Sequence, residues 1–512
     1  MSHKKLLTRG VFFSYVAMVA QISYSFLSVP LALSHLSTAQ FGLWGLVSTI
    51  GSFLVLTELG MTESFMRYLF ECKDGKDPER YGRLFTASCL ALGLVALVIL
   101  AGGVVVAFFA APLLGVPMEM RQDFTWAMLG ASGMAALVMA SKMLGVPLVL
   151  HHRQDLAQIA QIGLFAIRLV VIFLAFRAGW GIYSLLAVEV AGAFWILPFN
   201  AWMCHRNRYF PVAGTFALPS RAEWSEIRNY SLSAFMIQMG GTVLMGLPQL
   251  LISSFVGLSA AGLWTVYTRV FGILRDIALR PFGIAVPMLI DLFVKGNVTR
   301  SVQRWSQTSQ LVLAAAGLFF AVAAANNARF VQLWTGVGVE WDIGMNLCIA
   351  GYFLCYVAAG CPYGVISFSK SFGIARLVPI LQAALVAAIS YAVAGKAGSA
   401  GIIVTASAGF VLGMLFFGMR QLGIATEESP RRLFFSTFTR PLSVVPLIAA
   451  AAWWIGRQTT PVPGYPGLFL SGGLSFLVGL PLMAYLGVSP DVRGELFGML
   501  LKPLRRFRPS AT

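Results

Sequence analysis

Fourteen apolar runs, most of them near or above the roughly 20 residues that cross a bilayer's hydrocarbon, follow one another along this chain and leave few folds open to it. They cover approximately 10–33, 41–66, 84–111, 124–150, 158–178, 182–203, 229–255, 260–290, 308–328, 343–368, 377–395, 399–419, 441–456 and 467–488. Hydrocarbon offers no partner to an unpaired backbone group, so each run is expected to be a helix. The fold class is therefore an all-α polytopic membrane protein with about 14 transmembrane helices. With only 11% charged residues and a mean hydropathy of +0.78, against about a quarter charged in a soluble domain, the apolar surface exceeds what a water-soluble core could bury. The first run, Gly10 to Leu33, is long enough to span and is expected to stay as a helix rather than to be removed as a secretory signal.

Lys and Arg near span ends are retained on the cytoplasmic side. With the N-terminus inside, the inner segments hold 27 basic residues, beginning with Lys4, Lys5 and Arg9. The opposite loops hold only five: Arg121, Arg177, Arg329, Lys396 and Arg457. Both termini are accordingly expected in the cytoplasm. The same bias explains most of the net charge of +17 without a nucleic-acid partner.

Little here suggests bond-making chemistry. The outer connections are short, the longest near 112–123 and 327–341, so no extramembrane domain is expected. Cys72, Cys89, Cys204, Cys348, Cys355 and Cys361 lie in apolar runs or expected cytoplasmic segments, which predicts neither a disulfide framework nor a metal site. No Gly-rich loop ending in Gly-Lys-Ser/Thr is present, so ATP hydrolysis is not expected, and the outer loops offer almost no convergent nucleophiles, acids or metal ligands, so neither enzyme activity nor a cofactor is expected.

The chain repeats itself about 220 residues apart. Arg9 opens a helix with Pro30 near its outer end, and the corner that follows reads Gly42-Leu43-Trp44. Arg228 opens another with Pro248 near its outer end, and its corner reads Gly262-Leu263-Trp264. Duplicated bundles are a common way to build a transporter. The expected domains are a six-helix lobe over 1–210, a second over 211–425, and two further helices with a basic tail over 426–512. The proline- and glycine-bearing segment 204–228 is the expected boundary.

The opening hairpin carries the most specific pattern: Arg9-Gly10, Val29-Pro30-Leu31, Gln40-Phe41-Gly42-Leu43-Trp44, Leu59-Gly60-Met61 and Arg67-Tyr68. It resembles the polysaccharide-biosynthesis branch of the multidrug, oligosaccharidyl-lipid and polysaccharide exporter superfamily, and the resemblance covers nearly the whole chain. The resemblance implies a flippase that carries undecaprenyl-pyrophosphate-linked oligosaccharide, such as an O-antigen, capsule or exopolysaccharide repeat unit, across the bacterial inner membrane. It further implies the bilayer, a coupling proton or sodium ion, and glycan polymerase and export machinery as partners. A cation-coupled multidrug antiporter of the same superfamily is the alternative. A membrane-bound glycan polymerase or ligase is a weaker one, because such enzymes present a large outer loop.

Ionisable groups at membrane depth are functional candidates by default. Five basic residues fall within spans: Lys142, Arg168, Arg269, Arg275 and Arg280. Helical spacing puts Arg269, Asp276 and Arg280 on one stripe with Arg275 elsewhere, Arg269 about 13 Å and Arg280 about 30 Å below the outer surface. A planar, bidentate guanidinium suits the substrate's pyrophosphate and acidic sugars. Arg269 is the leading candidate, followed by Arg280, Arg168 and Arg275; for Arg280 the plainer reading is snorkelling and a pair with Asp276. Gln21, Tyr24 and Gln238, on the first helices of the lobes, are expected to line the path or to bond between helices. Asp276 and Glu189 are the coupling candidates, Glu189 being within reach of Arg168. Glu58 and Glu63, with Arg67 a turn beyond, read as an interfacial salt-bridge cluster. Basic groups outnumber acidic ones in the spans, which favours an anionic substrate over a drug cation.

Overall fold

The computed structural model describes residues 3–58, 60–72, 77–151, 153–211, 239–294, 297–336, 338, 340–366 and 377–494. Among these residues there is no strand, and the chain runs through α1 (His3–Leu33), α2 (Thr38–Val55), α3 (Met61–Cys72), α4 (Pro78–Phe109), α5 (Arg121–Ala140), α6 (Val146–Leu150), α7 (Gln154–Arg177) and α8 (Tyr183–Arg206). Helix α9 (Met239–Phe255) follows, then α10 (Leu258–Val294), α11 (Val298–Thr335), α12 (Ile343–Ile366), α13 (Val378–Gly413), α14 (Met419–Thr426), α15 (Pro430–Gln458) and α16 (Gly464–Leu482). Eleven described stretches are long and apolar enough to cross a membrane. One of these, Val378–Thr426, is a hairpin: Gly398 leaves the helical region at φ 56° and ψ −151°, and Gln382 reaches back to donate to the Gly409 carbonyl. With α9 and the charge-bearing α10, every apolar run of the sequence has its helix or hairpin arm.

Two expected spans are interrupted. The run 41–66 breaks at a 3-10 turn, Leu56–Glu58, and resumes after Gly60, whose φ of 65° is left-handed. The run 124–150 breaks at the 3-10 turn Lys142–Leu144 before α6. Helix α10, by contrast, continues through Pro281 and Pro287.

The chain forms two compact units, Met1–Thr265 and Val266–Thr512. In the first, α1 packs on α7, α7 on α8, and α5 on both α2 and α4. A core of Phe65, Leu69, Leu84, Leu92, Ile99 and Met139 fills the space among α3, α4 and α5. Of the expected lobe boundary 204–228, residues 212–228, Arg228 among them, lie outside the described residues. The two units divide inside α10. The reason is a crossing of α2 with the first turns of α10. A Cβ on Gly42 would stand 2.0 Å from the Leu258 carbonyl oxygen, and one on Gly262 2.2 Å from the Thr38 carbonyl oxygen. Each glycine meets the backbone four residues before the other, and the two halves of the contact are related by the 220-residue repeat. Only bare backbone allows this approach, as small residues do in other membrane helix pairs.

In the second unit α11 is the central post, with α12, α15 and α16 packed on it and α13 against α12. Polar ties hold the α15–α16 hairpin to it at both ends. At one, the Arg329 guanidinium donates to the Thr459 carbonyl at 3.4 Å and to that of Val462. At the other, Gln310 donates to the Ser436 carbonyl at 3.1 Å and accepts from the Ser489 N–H at 3.0 Å. Deep in the unit, buried Asn327 donates to the Tyr267 carbonyl at 3.0 Å and to Asn346 Oδ1 at 2.7 Å.

The α2–α10 crossing gives a direct test. Gly42→Ala and Gly262→Ala should each destabilise the protein by about 1–3 kcal/mol or more, because the neighbour that must yield is backbone. Gly51→Ala, with open space around it, should leave thermal unfolding in detergent unchanged.

Candidate substrate and coupling sites

Each unit carries an arginine–carboxylate pair at membrane depth. In the first unit Arg168 of α7 donates from Nη2 to Glu189 Oε2 of α8 at 2.6 Å. Counting 1.5 Å per residue, Arg168 lies about 14 Å from the Arg177 end of α7 and Glu189 about 9 Å from the Tyr183 end of α8. The guanidinium has its place because residue 192, one turn after Glu189, is glycine: a Cβ there would stand 3.0 Å from Arg168 Nε. The pairing is partial, since Glu189 is 41% exposed and buried Arg168 Nε has no hydrogen-bond partner among the described residues. Tyr24 packs its ring 5.9 Å from Phe165, one turn before Arg168, and Gln21 on the same helix is exposed.

In the second unit Arg275 donates from Nη2 to Asp276 Oδ1 at 2.8 Å and from Nε at 3.0 Å. Its guanidinium lies 5.5 Å from the Tyr356 ring and 5.9 Å from the Phe353 ring of α12. Two aromatic faces and a carboxylate thus hold one cation. The expected pairing of Asp276 with Arg280 is replaced by this one, because the rings on α12 draw the Arg275 side chain across its neighbour. Asp276 keeps 57% of its side-chain surface exposed. Arg280 is exposed and Arg269 half-buried. Gln238 lies outside the described residues.

A third pair joins the two helix breaks. Lys142 Nζ donates to both oxygens of Glu58, at 2.8 and 2.6 Å, and the Thr62 N–H donates to Glu58 Oε1 at 3.3 Å. Lys142, expected within a span, lies about 32 Å along from Arg121, close to the far membrane surface. Outside the spans, the hydrogen bond to Asp155, 3.0 Å from Nε, raises the pKa of Arg153 above its ordinary value.

Spacing in the sequence points to Arg168 with Glu189. It misses Lys142 with Glu58, 84 residues apart, and the rings at 353 and 356. The only prior signal is Lys142 and Glu58 themselves, polar residues set in apolar text. Among the described residues no group of His, Cys, Asp and Glu is arranged to hold a metal ion.

Residues 7–293 match the polysaccharide biosynthesis protein family. The chain belongs to that family. Among solved structures it is similar to an inward-facing multidrug resistance MATE family transporter of the MOP superfamily, with a TM-score of 0.61 at 13% identity over 80% of this chain and 96% of that one. It is also similar to the lipid II flippase MurJ in an inward closed conformation, with a TM-score of 0.58 at 13% identity over 92% and 98% of the two chains. A third similar structure is a mutant of the Vibrio cholerae MATE transporter VcmN, with a TM-score of 0.53 at 15% identity over 84% and 99%. Comparison with curated protein sequences gives no match. This family member therefore has the fold of MOP-superfamily transporters.

The bridged helix breaks can be probed by a double-mutant cycle. Lys142→Ala leaves the Glu58 carboxylate, 11% exposed, without its cation. It should destabilise the protein by about 1–3 kcal/mol, less than for a fully buried pair because Lys142 reaches solvent. Adding Glu58→Gln should recover much of that loss in a thermal unfolding assay.

Proposed function

We propose that this protein is a flippase that translocates an undecaprenyl-pyrophosphate-linked oligosaccharide from the cytoplasmic to the periplasmic leaflet of a bacterial inner membrane, by alternating access. The observation that carries the reading is the pair of partly neutralised guanidinium groups at membrane depth, Arg168 with Glu189 and Arg275 with Asp276, in a member of a polysaccharide biosynthesis family. A charge held in hydrocarbon needs a partner or a purpose. An incoming pyrophosphate is a better bidentate acceptor for arginine than a single carboxylate oxygen. A proton or sodium ion arriving at Glu189 or Asp276 would release its arginine to the phosphate, and its departure would return it. Such an exchange couples an ion gradient to the carried anion without ATP.

In this reading Arg269, Arg280, Gln21, Tyr24 and Gln238 complete the substrate contacts, and both termini face the cytoplasm. The repeat at 220 residues divides the chain into two six-helix lobes with two added helices. The similarity to MurJ, a lipid II flippase, supports a lipid-linked substrate. The similarity to MATE transporters keeps a cation-coupled drug antiporter as the rival, and the basic bias of the spans weighs against it.

In a deletion strain, Arg275→Ala, Arg168→Ala and Arg269→Ala should each lower flipping on the order of tenfold to a hundredfold, the consequence of removing a desolvated charged contact. The lysine variants should restore part of it. The measurement is lipid-linked glycan accumulating on the cytoplasmic face, scored beside drug susceptibility. Drug sensitivity without glycan accumulation would replace the flippase by the antiporter.

Glu189→Gln and Asp276→Asn should separate binding from coupling. Substrate retention should persist in either variant while the dependence of transport on the proton or sodium gradient is lost. Equal gradient dependence in wild type and both variants, read in proteoliposomes, would remove these carboxylates from the coupling step.

A further inference from the structure

In the second unit, α12 and α15 each pack on α11, and between them lies an apolar groove of about 630 Å³ lined by Phe320, Leu347, Leu354, Val445, Ala450 and Trp453 among others. Its position is unlike that of the charged pairs, for no charged residue among those described lines it. Measured from the end of α15 at Gln458, the groove runs from about 8 Å at Trp453 to about 20 Å at Val445. That is the depth of one leaflet, half of the ~30 Å of hydrocarbon.

A cation stands beside the lining residue Trp453. Arg457, in the last turn of α15, holds its guanidinium 4.3 Å from the centroid of the Trp453 ring. The same pairing, with the ring four residues before the arginine, ends two other spans, with Arg177 over Phe173 at 5.0 Å on α7 and Arg206 over Trp202 at 5.4 Å on α8. An aromatic ring and a basic group at a span's end are the signature of headgroup level. Of the three, the pair on α15 adjoins a groove. Trp453 thus has one neighbour that attracts phosphate and lines a channel that accepts methylenes.

We infer that this groove binds a bilayer phospholipid, one acyl chain lying between α12 and α15 and the phosphate resting on Arg457. Each methylene withdrawn into such a groove contributes about 0.8 kcal/mol relative to water but little relative to bulk lipid. The charge beside Trp453 is therefore what distinguishes a resident lipid from passing ones. Length argues against the carried isoprenoid, because an extended undecaprenyl chain exceeds the whole ~30 Å of hydrocarbon. The site is independent of the flippase reading. It would wedge the α15–α16 hairpin against the post formed by α11.

The test uses the full chain in vesicles of phosphatidylethanolamine and phosphatidylglycerol, with phosphatidylglycerol bearing a diazirine in one acyl chain as the probe. On illumination, adducts should concentrate in 343–354 and 445–458. Ala450→Trp, at an exposed lining position, should fill the groove and remove most of them. Arg457→Gln, at an exposed helix end, should lower capture of phosphatidylglycerol about fivefold while leaving capture of a diazirine diacylglycerol unchanged. Adducts spread evenly over the lipid-facing helices, insensitive to both substitutions, would overturn the inference. Displacement of the probe by undecaprenyl phosphate would overturn it too, by assigning the groove to the carried chain.

Discussion

A hydrocarbon solvent offers neither a hydrogen bond nor a counter-charge, and nearly everything in this structure answers to that. The backbone satisfies itself as helix. Where it cannot, at the two breaks near Glu58 and Lys142, side chains complete the accounting: Glu58 accepts from the Thr62 N–H and neutralises the lysine on the facing break. Interior charges follow the same rule, with Arg168 and Arg275 each given a carboxylate. These pairs remain partly exposed, so they are held rather than locked.

The second constraint is how close two helices can come. With little hydrophobic drive between helices inside lipid, packing distance decides which ones associate. Gly42 and Gly262 let α2 and α10 touch backbone to backbone. The contact is nearly self-symmetric under the sequence repeat, because each glycine faces the carbonyl four positions before the other. It also fixes α9 and the start of α10 to the first unit, which is why the compact units meet within a helix. The Gly-Leu-Trp corner is thus less a loop signal than a crossing point.

Much of the fold was legible in advance, and for a simple reason. A span of about 20 apolar residues has one dominant outcome in a bilayer, so the helices could be placed without tertiary information. Two interruptions were not legible, Leu56–Glu58 and Lys142–Leu144, which sit in text that reads as continuous helix, whereas the turn at Gly398 falls in the gap between the expected spans 377–395 and 399–419. Of the sites, the Arg168–Glu189 pair could be anticipated because α7 and α8 are consecutive. The surroundings of Arg275 could not be anticipated, since helical spacing describes a single cylinder and says nothing of Phe353 and Tyr356 on another.

By itself the sequence determined the solvent, where the apolar spans lie, and which side chains would be expensive to bury, since these depend on composition and local periodicity. The tertiary structure alone decided which carboxylate each arginine found, where helices break against one another, and that an apolar groove opens beside Trp453 and Arg457. Those outcomes depend on distances between residues far apart in the chain, and helix packing sets them through a few close contacts that no local pattern encodes.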